Sequence, residues 1–169
     1  MGEADDILRV ERLGPQHDRS GFASGVEPLD RYFQTRAGQD ARRKVAAPFV
    51  LVLKDGCIAG YYTLSSTAVR LPDLPEATVR KLPRYPLIPA TLLERLAVDQ
   101  RCQGRGYGRF LLADALYRAV RSEIASFAVI VDAKDESAKR FYERESFLPL
   151  PDRPMKLFRP LADIEALFK

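Results

Sequence analysis

At 169 residues, with 46% hydrophobic and 30% charged side chains, the chain can bury one sizeable core but not two, so a single domain over 1–169 is expected. A net charge of +4 does not by itself demand a nucleic-acid partner, and one histidine with two cysteines leaves no metal-ligand pattern. The start from Met1 to Asp6 is acidic and no apolar run nears the ~18 residues of a membrane span, which implies a cytoplasmic protein without a membrane partner, and Cys57 and Cys102 as free, structural thiols.

Ile7 to Leu13 alternates as a first strand. Pro28 suits the first turn of a helix running to about Arg43, on which Leu29, Phe33 and Ala37 recur at four-residue spacing and face the core. Phe49 to Leu53 and Ile58 to Val69 are β-rich. Between them Lys54-Asp55-Gly56-Cys57 carries the Asp-Gly signal of a hairpin, so the two strands form an antiparallel pair. Pro72, Pro75, Pro83, Pro86 and Pro89 then forbid a long helix or a central strand, and the stretch reads as an ordered excursion with one helical turn. Leu92 to Val98 is the next strand, followed by a glycine loop. Tyr107 to Arg121 is a helix whose apolar stripe is Leu112, Leu116 and Ala119, widened by Phe110, Ala113 and Val120. Phe127 to Val131 is a short continuous apolar run of the kind found in a strand covered on both faces. Strand, helix and strand in this order imply a parallel, right-handed βαβ unit. Asp135 is placed to N-cap a helix to about Glu145, with Ala138, Phe141 and Tyr142 on its apolar side. Met155 to Phe158 forms a last strand and Leu161 to Phe168 a short terminal helix.

Two basic groups stand out. Arg31, Arg36, Arg42, Arg43 and Lys44 face only Asp30 and Asp40 in their segment, and Arg80, Lys81 and Arg84 interrupt the proline-rich stretch. Either can be a polyanion footprint or simply a solvated surface. His17 lies in a polar stretch far from any other motif, so a serine–histidine–aspartate triad would depend entirely on it.

Gln103-Gly104-Arg105-Gly106-Tyr107-Gly108 lies where a strand ends and a helix begins. Backbone N–H groups and the helix dipole together make an anion site there, and glycine lets a pyrophosphate approach the main chain. No Rossmann unit surrounds this loop and no Gly-Lys-Ser/Thr follows it. Taken with Leu96-Ala97-Val98-Asp99, Leu111-Leu112, and Ala138 to Phe141-Tyr142-Glu143 with Phe147, the loop resembles the Q/R-x-x-G-x-G/A motif of the GCN5-related N-acetyltransferases. Over nearly the whole chain, Leu29-Asp30, Gly60-Tyr61-Tyr62-Thr63-Leu64-Ser65, Leu82-Pro83-Arg84-Tyr85-Pro86, Arg95 to Asp99 and Val131-Asp132-Ala133 resemble the acetyltransferase toxins of bacterial toxin–antitoxin pairs.

The resemblance implies an α/β (α+β) fold with a mixed central sheet of six or seven strands, flanking helices and a βαβ core that binds acetyl-CoA. It assigns Leu96, Ala97, Val98, Gln103, Gly104, Arg105, Gly106, Tyr107, Gly108, Arg109, Asp135 and Ala138 to the cofactor, with the Val98 N–H directed at the thioester oxygen. Tyr142 becomes the general acid for the departing thiolate. Arg36, Arg80, Lys81, Arg84 and Arg95 would meet phosphates of an aminoacyl-tRNA substrate, and Arg95 could equally be an ion-pair partner of Glu94 or Asp99. The implied partners are an antitoxin of ribbon-helix-helix type and a second copy of the chain; no metal is implied. Ser146 replaces a usual glycine before Phe147, which puts the shape of that turn in question, and Asp135 replaces a frequent asparagine.

No histidine or carboxylate pair offers a strong general base. That would be awkward for a lysine acceptor near pKa ~10.4, whereas the α-amine of an aminoacyl ester is less basic and needs little help. Alternative readings are an acetyltransferase for a protein N-terminus, a polyamine or an antibiotic amine, and a non-catalytic acyl-CoA- or partner-binding module.

Overall fold

The computed structural model describes residues 6–168. In chain order these form β1 (Ile7–Arg12), α1 (Glu27–Thr35), α2 (Ala37–Arg43), β2 (Ala47–Leu53), β3 (Ile58–Arg70), α3 (Glu76–Val79), β4 (Leu87–Val98), α4 (Tyr107–Arg121), β5 (Ala128–Asp132), α5 (Glu136–Arg144), β6 (Leu148–Leu150), β7 (Arg153–Pro160) and α6 (Leu161–Glu165). The strands make one seven-stranded mixed sheet in the order β1-β2-β3-β4-β5-β7-β6. Among the described residues no helix is long and apolar enough to cross a membrane.

The chain divides into two compact units. The first holds residues up to Ser65 together with 95–115. Its antiparallel ladder β1-β2-β3 is closed by the expected hairpin, whose Gly56 has φ 90°. One face of that ladder carries α1, because Phe33 stacks on Tyr61 at 4.3 Å and Phe22 meets both rings edge-on. Ala37, Val50, Val52, Ile58 and Ala97 complete this core, with Leu29 packed against it.

The second unit holds 66–94 and 116–169. Here β4 pairs parallel with β5 through Ala90↔Ala128 to Leu93↔Val131, and β7 and β6 follow antiparallel. Ala128, Val129, Ile130 and Val131 are fully buried, as their unbroken apolar run requires. Leu71, Leu74, Ile88, Ala90, Ala128, Ile130, Leu150 and Phe158 form the core, so the proline-rich excursion is itself anchored by Leu71 and Leu74.

Four element readings are corrected. The helix expected to run to Arg43 breaks at Arg36, where φ is −121°. Just before the break the Thr35 hydroxyl donates to the Arg31 carbonyl at 2.7 Å, a back-bond that bends helices. On α4 the buried face is Tyr107, Leu111, Leu112, Leu116, Ala115 and Ala119, while Phe110 is 41% exposed and Ala113 is exposed too. At 100° per residue Phe110 lies about 160° around the helix from Leu112, too far to widen the stripe. β4 starts at Leu87 rather than Leu92, because Pro89 still offers its carbonyl to the Phe127 N–H at 2.8 Å. β6 was not expected; three residues with a central proline are held only by pairing to β7. Both thiols are free, but Cys57 is exposed and only Cys102 is buried in the structure.

Candidate active site

The strand-to-helix loop of the first unit is clamped before it reaches its glycines. Asp99, 1% exposed, accepts from the Ala23 N–H at 3.2 Å and from the Arg101 N–H and Nε, each at 2.9 Å. Its own N–H donates to the Ala59 carbonyl at 2.8 Å. Burial pushes the Asp99 carboxyl up, yet the Arg101 and Ala23 donors outweigh it and hold the group below the usual carboxylate range. Gln103 donates through Nε2 to the Ser24 carbonyl at 2.9 Å and the Val98 carbonyl at 3.0 Å. The side chain of this motif glutamine is therefore a brace tying the loop to the end of β4.

Beyond the brace, Gly104 and Gly106 take φ 80° and 81°, a left-handed conformation that disfavours any side chain. The space a Cβ would occupy at either residue is open. Main chain is thus presented bare at Gly104 and Gly106, just ahead of the N-terminus of α4, a setting that could hold the pyrophosphate of acetyl-CoA. Gly108 needs no special backbone, since an added Cβ would meet Val98 Cγ2 at an ordinary 3.8 Å. Tyr107 is buried, and Arg105 and Arg109 are exposed. Leu96 and Val98 are half-buried and Ala97 is buried. Gly60, not foreseen as functional, lets β3 pass close to this strand end: a Cβ there would come within 2.7 Å of the Ala97 carbonyl oxygen and of Leu111 Cδ1.

The second unit carries α5. Asp135 caps it by accepting from the Ala138 N–H at 2.8 Å, which together with Lys134 at 3.0 Å occupies the carboxylate. At the other end Phe147 N–H donates to the Tyr142 carbonyl and Ser146 N–H to that of Glu143, with Ser146 at φ 69°. This is the paired-bond helix stop that glycine ordinarily makes, so serine has not altered the turn. The Tyr142 ring is 7% exposed, edge-on to Phe141 at 5.2 Å and Phe147 at 5.5 Å. Among the described residues none hydrogen-bonds to its hydroxyl, and no buried side-chain oxygen lacks a partner, so the hydroxyl reaches solvent. By contrast Tyr32, Tyr61 and Tyr62 spend theirs on Asp40, the Leu29 carbonyl and Asp114. Burial first, and the Asp132 charge second, push the Tyr142 phenol up, so it stays protonated throughout the neutral range.

The cations fall into two groups. In the first unit the Arg95 guanidinium lies 3.6 Å over the Tyr32 ring, while Asp99 is engaged by Arg101. Glu27, Pro28, Arg31, Tyr32 and Arg36 line a cleft of about 470 Å³. Arg31, absent from the expected set though in the same basic segment, joins Arg36 there. In the second unit Arg80, Lys81 and Arg84 are exposed, and Arg80 pairs with Glu76 at 3.1 Å. His17 is structural: Nδ1 accepts from the Gly14 N–H, so Nε2 carries the proton toward Glu11 at 2.8 Å.

The chain is similar to known proteins over nearly its full length. A protein named probable toxin TacT from Sinorhizobium fredii is 31% identical over 169 residues, covering 94% of this chain and 93% of its own. A tRNA-acetylating toxin of Mycobacterium tuberculosis is 35% identical over 158 residues, 92% of this chain and 93% of that protein. A solved tyrosine-to-phenylalanine mutant of KacT superposes with a TM-score of 0.89 at 28% identity, covering 96% and 99% of the two chains. AtaT in complex with acetyl-methionyl-tRNAfMet gives 0.87 at 30%, covering 95% and 99%. An AtaT mutant bound to the C-terminus of the antitoxin AtaR gives 0.82 at 28%, covering 97% and 99%. The model of the acetyltransferase (GNAT) family matches residues 16–147, and with the glycine loop and the Tyr142 helix both in place the chain belongs to that family.

Proposed function

We propose that this acetyltransferase transfers an acetyl group from acetyl-CoA to the α-amine of aminoacyl-tRNA and so acts as a toxin that stops translation. The observation that carries the chemistry is Tyr142, a phenol with a buried ring and a hydroxyl that no described residue engages. The substrate class is supported by near-full-length likeness to a tRNA-acetylating toxin and to AtaT, solved with acetyl-methionyl-tRNAfMet.

Acetyl-CoA, when bound, supplies the acetyl group as an activated thioester. Gly104 to Gly108 hold the pyrophosphate through main-chain N–H groups, aided by Arg105 and Arg109. Leu96 to Val98 line the pantetheine, and the Val98 N–H stabilises negative charge growing on the acyl oxygen. The β4–β5 ladder stops at Leu93↔Val131 although β4 runs on to Val98, which supports this role for the strand end. Asp135 and Ala138 shape the start of α5 beside the cofactor. The neutral amine attacks the acyl carbon, the C–S bond breaks, Tyr142 gives its proton to the departing sulfur, and the amine proton passes to water. The raised phenol pKa keeps Tyr142 in its protonated form at neutral pH, the form a proton donor requires.

Arg36, Arg80, Lys81, Arg84 and Arg95 serve the tRNA. We read the two units as parts of one functional domain, since the family match runs through both. An antitoxin of ribbon-helix-helix type and a second copy of the chain complete the proposed partners, in the cytoplasm where charged tRNA is found; the AtaT–AtaR complex supports the first. The test is Tyr142→Phe, assayed with acetyl-CoA and charged tRNA. Turnover should fall about 10²–10⁴-fold while acetyl-CoA still binds, and undiminished turnover removes the assignment.

A further inference from the structure

Arg80 to Leu93 contains no carboxylate, and within it Arg84-Tyr85-Pro86-Leu87 is exposed throughout. Tyr85 is 63% exposed and makes no hydrogen bond or ring contact with any described residue. The segment is nonetheless pinned at both ends. Leu82 packs against the second unit's core, the Pro86 carbonyl accepts from the Leu71 N–H at 3.1 Å, and Ile88 is buried. Pro83 and Pro86 fix φ on either side of Arg84-Tyr85, so the ring cannot easily fold back onto apolar surface.

An isolated exposed aromatic is ordinary. One presented on a stiff loop, with Lys81 and Arg84 close in sequence and no acid between Arg80 and Leu93, has the composition of a single-strand contact: a π-face for a base and cations for the adjoining phosphates. Resting on the tRNA reading above, we propose that Tyr85 stacks on an unpaired base of the RNA substrate, with Lys81 and Arg84 on the flanking phosphates. Stacking requires the ring and not the hydroxyl, and it needs no ionic contact of its own.

The test is steady-state acetylation of charged tRNA by Tyr85→Phe, Tyr85→Ala and Arg84→Ala across a salt series. Phenylalanine should keep the wild-type KM. Alanine should raise KM for charged tRNA by about 5- to 100-fold, the loss of one base stack, with kcat and acetyl-CoA affinity unchanged. The slope of log KM against log salt should be unaltered in Tyr85→Ala and shallower by about 0.7–0.9 in Arg84→Ala. A KM for Tyr85→Ala within about twofold of wild type, or an equal defect in Tyr85→Phe, overturns the stacking role and leaves the tRNA reading intact; weakened capture of an acidic protein partner with unchanged KM does the same. A wild-type protein inert on charged tRNA overturns both.

Discussion

Ser146 holds a left-handed backbone that L-residues enter at a cost of about 1–2 kcal/mol, and it does so at the stop of the helix that carries Tyr142. Because Phe147 both bonds to the Tyr142 carbonyl and packs on its ring, the strain is held by the very contacts that position the phenol. Ser146→Gly relieves it, offset by glycine's greater freedom in the unfolded chain, for a net gain of roughly 0.5–1 kcal/mol. Thermal unfolding should therefore move up by about 1–4 °C, and a fall would show that the serine hydroxyl contributes something the backbone does not reveal. At this scale residue types were readable: Tyr142, the loop glycines and the Asp135 cap stand at spacings the sequence displays. The unengaged Tyr142 hydroxyl was not readable, since a hydrogen-bond partner for a buried tyrosine comes from distant chain, as Asp114 does for Tyr62.

Among the elements, the turn from Val98 to Gln103 decides where the glycine loop stands. Asp99 joins it to the segment at Ala23 and to β3 at Ala59, contacts 76 and 40 residues distant in sequence. Its carboxyl is held below the ordinary value, so its stabilisation is complete above the unfolded pKa of about 4 and disappears as pH falls through the lower folded value. Asp99→Asn should lose roughly 1–3 kcal/mol at neutral pH, and the gap to wild type should narrow below about pH 4; urea melts at several pH values check both. A constant gap down to pH 2 would show that the charge plays no part. Strands with strong alternation or continuous apolar runs, and the N-cap at Asp135, were legible because their causes are local. The break at Arg36, the early start of β4 and the existence of β6 were not, because a back-bonded threonine, a proline carbonyl and a pairing partner decide them.

For the whole molecule, a net charge of +4 says little until its cations are placed. Changing Arg80, Lys81 and Arg84 together to glutamate should cripple acetylation of charged tRNA and spare acetyl-CoA affinity. It should also flatten the salt dependence of KM by about three phosphate contacts, because the exposed Arg80–Glu76 pair is too weak to withhold Arg80 from the tRNA. An unchanged salt slope would reduce these residues to a solvated loop. Sequence alone determined the family, the glycine loop and the candidate acid, because a bare backbone before a helix and a tyrosine at fixed spacing are properties of neighbouring residues. Only the tertiary structure decided that Gln103 braces rather than reaches out, that Arg95 lies on Tyr32, that Phe110 faces solvent and that Tyr142 keeps its hydroxyl unengaged. Each of these depends on which distant groups compete for one side chain, and spacing along a chain carries no record of that competition.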